Sequence, residues 1–597
     1  MKQILLPAVI FFTCPASHAQ MLSFTVDSTC FNALTLESGR TQVRLSDINQ
    51  DGHLDVVSIG DHGSPNVSGN QHGITVFFGN GTGTGWSLSQ SGSFGYGGCA
   101  VGDLNNDGKQ DIAYGMHHNY GGGGGSKIIE AQLGTGNGMS WTPYDAGLAS
   151  GGETYGMGGV DLGDINNDGL LDIGCKSMAC CNGVHVYKNL GTGSWQQSFS
   201  AGQGGGSANF MQFGDMDGDG NLDFVVAQEF GSPYFGNGTG GFVMKAGNLP
   251  VTATAYDSYM DVSLGDIDND GDDDFAFNPS ATNPSGVFVY KWNKGTQQWD
   301  NASSGLPSTG NCAVARLADM DMDGFLDLVT VNVWTLQVWK GNGGTSWTNI
   351  LSDTLPKSFQ GVRDLALADV DHNGKTDILL WGSFQKDMFN SANKIWLFKQ
   401  GAPATDLSVM ELYPKGGECI PNNAVRFIKW ASSVQSNHAS SVKIEYSISG
   451  NSGPWTLITS SAPNNGNYQW NAPGSVNSSN CFIRITATDN ITSATATAVT
   501  ANPFSIGCNT STTGLSEIAE GNDISVFPNP FSSTTTIFSS ASNCSIKIID
   551  ITGNIVRSFS NVGQFPFTIE RSNLASGIYV LELSSATKTE RVKLLVE

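Results

Sequence analysis

Oxygen-bearing side chains recur along this 597-residue chain at one spacing: positions 1, 3, 5 and 9 of a nine-residue run, with glycine at position 6. The first copy offers Asp47, Asn49, Asp51 and Asp55, and the second Asp103, Asn105, Asp107 and Asp111. The third has Asp164, Asn166, Asp168 and Asp172; the fourth has Asp215, Asp217, Asp219 and Asp223. Then come Asp266, Asp268, Asp270 and Asp274; Asp319, Asp321, Asp323 and Asp327; and Asp369, Asp371, Asn373 and Asp377. Hard divalent cations need several oxygen ligands, and Ca²⁺ takes about 6–8. A tight loop can turn positions 1, 3 and 5 inward while glycine permits the sharp bend. Position 7 (His53, Lys109, Leu170, Asn221, Asp272, Phe325 and Lys375) adds a backbone carbonyl, and the aspartate at 9 closes the shell.

The spacing resembles the first half of an EF-hand loop, but no acidic residue stands consistently at position 12. The ion is therefore expected to staple a strand–loop–strand rather than two helices. Mg²⁺ suits such a site less well, because it demands a tight octahedron and keeps its waters. No cysteine lies in any loop, which disfavours thiolate-seeking metals. One copy would read equally well as a solvated acidic turn; seven copies favour up to seven structural Ca²⁺ ions. Asn49, Asn105 and Asn166 are neutral at position 3, and Asn373 is neutral at position 5. Those four loops are expected to bind more weakly, since affinity follows ligand charge.

The elements that position the loops follow from their surroundings. Successive copies start 50 to 61 residues apart, the period of a repeated small sheet. An apolar strand enters each loop, as at 262–264, and others leave it, as at 56–59 and 74–78. Gly/Asn turns such as 79–86 then lead to a tryptophan that begins a fourth strand. Four strands per repeat, seven times, describes an all-β, seven-bladed β-propeller over 20–402. The seventh repeat lacks its fourth strand, and 21–26 is expected to supply it. The loops resemble those of the FG-GAP or VCBS repeat family, the propeller also seen in integrin α subunits. That resemblance implies structural calcium on one face of the disc; the family spans adhesion proteins, lectins and polysaccharide lyases, so the fold leaves function open.

The net charge of −24 is largely a property of the loops, which hold 26 of the 53 acidic residues, and it argues neither for nucleic acid nor for a basic partner. Residues 1–19 read as a secretory signal, with Lys2, an apolar run and a Ser17-His18-Ala19 cleavage site. Cys14 is poorly set for lipidation, and no later stretch is apolar enough to span a membrane. Residues 404–508 are rich in Ser, Thr and Asn, with Trp430, Trp455 and Trp470 as core candidates. They resemble an immunoglobulin-like or fibronectin type III-like β-sandwich, read as a spacer, with one disulfide expected among Cys419, Cys481 and Cys508. The adjacent Cys180 and Cys181 could pair with each other or elsewhere. A linker covers 509–522. Residues 523–597 carry Val526-Phe527-Pro528-Asn529-Pro530, Ile546–Gly553 and Leu574–Tyr579. They resemble the small β-sandwich sorting domain of type IX secretion in Bacteroidetes, which implies recognition by that machinery, export across the outer membrane, and release or surface attachment.

No Gly-x-Ser-x-Gly or His-Glu-x-x-His motif is present. Gly374-Lys375-Thr376 lies inside the seventh loop and lacks the first glycine of a phosphate loop. The connections opposite the metal loops carry His117, His118, Tyr120, Tyr96 and Tyr155, with Lys176 and others nearby. Aromatics with polar neighbours suit glycan binding, and His–Tyr–Lys groups could serve a lyase. The reading is a secreted or surface calcium-binding propeller that binds a glycan or protein without catalysis. A lyase-like polysaccharide-degrading enzyme is the alternative, and a structural surface component the second.

Overall fold

The computed structural model describes residues 22–596, except for 28–30, 32–34, 37–41, 60–73, 89–92, 95–97, 116–128, 149–156, 178–182, 202–209, 228–231, 250–260, 279–285, 311, 333–334, 356–358, 386–390, 436–437, 509–523, 528–530, 532, 540–543, 551–553, 564–566, 573 and 586–588. Every regular element among the described residues is a β-strand. The chain divides into two compact units, 1–509 and 510–597.

Seven four-stranded antiparallel sheets fill the first part of unit one. The first comprises Arg44–Ser46, Asp55–Ile59, Ile74–Phe78 and Ser87–Leu88, and the next five repeat this order. The seventh has Phe359–Ala368, Asp377–Gln385 and Ser391–Gln400, and its fourth strand is Phe24–Asp27 from the other end of the chain, with Phe24 opposite Gln400. Second strands such as Asp55–Ile59 and Asp274–Asn278 are buried at every position. Both their faces meet neighbouring sheets, so they read as continuous apolar runs rather than alternating ones. Fourth strands are more exposed: Trp195–Ala201 buries its tryptophan and exposes the next two residues.

Each first strand touches the first strand of the following sheet, and the seventh touches the first. Apolar clusters fill every gap in that cycle; Leu54, Val56 and Phe77 of sheet one pack on Leu379, Trp381 and Leu397 of sheet seven. Tryptophans fasten the rim: Trp195 Nε1 donates to the Tyr144 carbonyl, and Trp347 Nε1 donates 2.8 Å to Ala302. Among the first strands, the Arg316 guanidinium bonds Asp261 and, at 3.0 Å, Asp364. This arrangement is that of a propeller.

The rest of unit one is two sheets on one core. Ser408–Tyr413, Val425–Ser433 and Asn467–Asn471 form one sheet, and six strands led by Ser478–Asp489 and Ser440–Ser447 form the other. Trp430 and Trp470 are in the core; Trp455 is not, and lies beneath the Arg484 guanidinium. Cys419 pairs with Cys508, leaving Cys481 as a buried thiol. Cys180 and Cys181 lie outside the described residues. Unit two packs a three-stranded sheet on a four-stranded one, around Ile546, Ile548, Leu581 and Leu594.

Candidate metal centres

Each loop is built by its own carboxylates before any ion enters. In six of the seven loops the position-1 aspartate accepts the amides of positions 5 and 6, as where Asp51 N and Gly52 N lie 3.0 and 2.9 Å from the two Asp47 oxygens; in the fourth, Asp215 accepts only Gly220 N. The position-5 side chain accepts the amide of position 7, as His53 N to Asp51 Oδ1 at 2.9 Å. The position-9 aspartate ties the loop to the sheet. Asp55 accepts Ile48 N at 2.9 Å on one oxygen and Gly79 N, from the end of the third strand, at 2.9 Å on the other. Asp111, Asp172, Asp223, Asp327 and Asp377 repeat this double contact. A carboxylate has about four lone-pair sites, so two amides leave room for a cation.

The backbone shows why the turn is possible. Position 6 is left-handed in every copy, with Gly52 at φ +92° and Gly271 at +94°. Position 4 is left-handed as well, and six of its seven residues are not glycine: Gln50, Asn106, Asn167, Asn269, Met322 and His372. Most of these side chains donate to the next loop. Gln50 and Asn106 reach the Gly108 and Gly169 carbonyls; Asn269 reaches Gly324 at 3.1 Å and Asn167 reaches Asn221 at 3.0 Å. His372 meets His53 of the first loop at 3.1 Å.

Four loops bring three carboxylates together. In Asp215/Asp217/Asp223, Asp266/Asp268/Asp274, Asp319/Asp321/Asp327 and Asp369/Asp371/Asp377, one oxygen from each residue lies within 4.8 Å of the others. Oxygens around one ion at about 2.3–2.6 Å can be no farther apart than about 5 Å, so each set fits a single cation. One oxygen each of Asp215, Asp217, Asp268, Asp321 and Asp371 is buried with no donor, as is the Asn166 carbonyl oxygen. A buried unpaired oxygen is costly, and a cation would satisfy it. Burial also raises the acids: Asp55, Asp111, Asp266 and Asp327 are pushed up to about 7, and Asp369 to about 8. The first three loops differ in having Asn at position 3. Position 7 contributes its amide in the same way whether it is Leu170, Phe325 or Lys375.

The two-sheet domain covers the loops, which the sequence had not revealed. Asn465 donates 3.1 Å to Asp47, Gln469 brackets the Asp103 backbone at 3.0 and 2.9 Å, and Val425 N donates 2.9 Å to Asp164. Arg426 reaches the Gly220 carbonyl at 2.6 Å, Lys415 reaches Gly324, and Val434 N reaches His372 at 2.8 Å. Gly271 abuts Gly417 so closely that a Cβ would lie 2.4 Å from the Gly417 carbonyl carbon. Every loop is thus touched, and a cavity of about 600 Å³ lies between the domain and the ring. No local signal at Val425 or Gln469 marks such contacts.

Of the opposite face, Tyr96, His117, His118, Tyr120 and Tyr155 lie outside the described residues. Lys176 is buried near the end of the second strand Asp172–Ser177 that lies away from the loop.

An FG-GAP-like repeat model matches residues 47–114, 178–226 and 319–380, and a secretion system C-terminal sorting domain model matches 525–597. The chain carries FG-GAP-like repeats followed by a type IX sorting domain. The sorting domain indicates type IX secretion to the cell surface or the extracellular space. No helix among the described residues is long and apolar enough to cross a membrane. No curated protein matches the chain. Among solved structures it is similar to the Photorhabdus luminescens Tc holotoxin pore, at 12% identity and TM-score 0.30, covering 78% of this chain and 20% of that one. It is also similar to PorZ, described as an essential surface component of the type IX secretion system of Porphyromonas gingivalis, at 13% identity and TM-score 0.23, covering 93% and 75%. The chain thus spans a fifth of the toxin chain.

Proposed function

We propose that this is a secreted or surface-held seven-bladed propeller whose loops hold calcium structurally, and that it binds an extracellular glycan or protein without catalysis. The observation that carries the reading is the two-sheet domain seated on all seven loops. Ions beneath it would be screened from a substrate, and their work would be to neutralise carboxylates and fix the seat of that domain. In the four three-carboxylate loops the donors at positions 1, 3 and 9 are hard oxygens in a set the size of a Ca²⁺ shell. Recognition then falls to the opposite end of the sheets, where second strands such as Asp55–Ile59 end and third strands such as Ile74–Phe78 begin. Loops on a rigid scaffold are where binding residues concentrate.

The test incubates the full chain, purified with calcium, with a panel of polysaccharides, and follows retention and new reducing or unsaturated ends. Retention without new ends is expected. New ends that vanish in a His117→Ala or His118→Ala variant would replace this reading with that of a lyase.

A further inference from the structure

The position-3 residue divides the loops, and in three of the four sheets whose loop carries an aspartate there the third strand places a lysine at one register. At the register just beyond the residue paired with the second strand's first apolar position, sheets one and two place Phe78 and Leu133, while sheet three places Lys188 although its loop has Asn166. Sheets five, six and seven place Lys291, Lys340 and Lys399 there. Lys291 Nζ lies 2.6 Å from Asp268 Oδ2. Lys340 Nζ bonds Oδ2 of both Asp321 and Asp323, the carboxylates at positions 3 and 5. Lys399 Nζ instead donates 3.2 Å to the Thr82 carbonyl. Sheet four has Phe235 at this register, and Lys245 crosses that ring, 4.1 Å from its centroid, to within 3.6 Å of Asp217 Oδ2. Three of the four carboxylates at position 3, Asp217, Asp268 and Asp321, therefore have an ammonium beside them.

Two of the three asparagine loops do the same with an amide. Asn49 Nδ2 and Asn166 Nδ2 donate 3.0 and 2.9 Å to the position-5 aspartates Asp51 and Asp168. Replacing that amide with a carboxylate sets two anions side by side with no donor between them, and Lys340 supplies the donor. The other oxygens of Asp217, Asp268 and Asp321 stay buried and unpartnered, and the Asp321 side chain is only 10% exposed. The lysine thus takes one oxygen and leaves the other for an ion, as outer partners orient metal ligands elsewhere.

We infer that these lysines are built-in counter-cations of the metal loops: each orients the position-3 aspartate, offsets its extra charge, and so holds the loop's calcium affinity near that of an asparagine loop. The inference rests on the calcium reading above. Its consequence is opposite in sign for the two states of the loop. With the ion absent, the lysine stabilises the carboxylates; with the ion present, it repels it.

The test compares the full chain with Lys340→Met, Lys291→Met and Lys340→Arg by calcium titration and by melting in chelator. The Met variants are expected to melt lower in chelator. Each should also gain one site tightened about tenfold, the order for one unit charge removed close to a divalent ion. Lys340→Arg should match the parent in both. A Met variant weakened in both measurements, or unchanged in both, would overturn the inference, since a packing role gives the first and a bystander the second. Folding only in calcium would count in favour. A parent whose melt ignores calcium would instead sink the calcium reading itself.

Discussion

A carboxylate buried among others can shed its charge to a proton or to a metal, and these loops allow both. Asp55, Asp111 and Asp327 are held near 7 chiefly by loss of water, against two amide bonds each that pull the other way. They must be ionised to ligate, so protons compete below about pH 7. Calcium titrations should therefore show half-saturation moving to higher concentration between pH 8 and pH 6; identical curves would contradict the burial argument. Without metal the sign reverses: a carboxyl raised from 3.8 to about 7 binds its proton more readily when folded, so the metal-free fold loses stability as pH climbs through that window. Glu411 isolates the same linkage away from the loops. Burial and the neighbouring Glu418 push it from 4.5 up to about 8, and one of its oxygens has no partner. Glu411→Gln should raise the melting temperature at pH 8.5 and leave it nearly unchanged at pH 4.5. An equal rise at both would assign the effect to packing.

Within the loop, geometry rather than charge sets what can be changed. Position 4 is left-handed, a conformation asparagine tolerates and methionine does not. Met322 holds it at φ +61° without an amide to pass to the next loop, as Asn106 and Asn269 do. Met322→Asn is expected to stabilise the protein by about 0.5–1 kcal/mol, seen as a higher denaturation midpoint at unchanged slope. A lower midpoint would mean that the Met322 side chain supplies packing worth more than the backbone strain. Such positions show where legibility ends. The aspartates, the glycine at 6 and the return of the N-terminal strand to the last sheet were readable, because chemistry and period repeat seven times. The loop-to-loop amides were not, since Gln50, Asn167 and His372 share no residue type and only the common φ unites them. The lysines at 291 and 340 were missed because strand register, not sequence distance, brings them to the acids. Trp455 misled for the opposite reason, as an aromatic that serves Arg484 rather than the core.

For unit one as a whole, the question is whether ring and covering domain melt together. Read from sequence, 404–508 was a spacer, and chelation should soften the ring while sparing it. Its contacts argue otherwise: Asn465 and Val425 bond Asp47 and Asp164, which are position-1 aspartates of the loops themselves. Stripping the loops of a cation loosens the groups on which the domain sits, so chelator should bring both down in one transition. Two glycines separate this coupling from strain within a loop. Gly52 and Gly271 occupy the same loop position at φ +92° and +94°, so alanine strains both alike. A Cβ on Gly52 meets nothing within 4 Å, whereas one on Gly271 collides with the Gly417 backbone of the covering domain. Gly52→Ala is expected to lower the melting temperature modestly while keeping one transition. Gly271→Ala should lower it further, split the transition, and raise proteolysis at the junction near 402–405. Equal effects from the two substitutions would mean that the domain rides on the ring without being held by it.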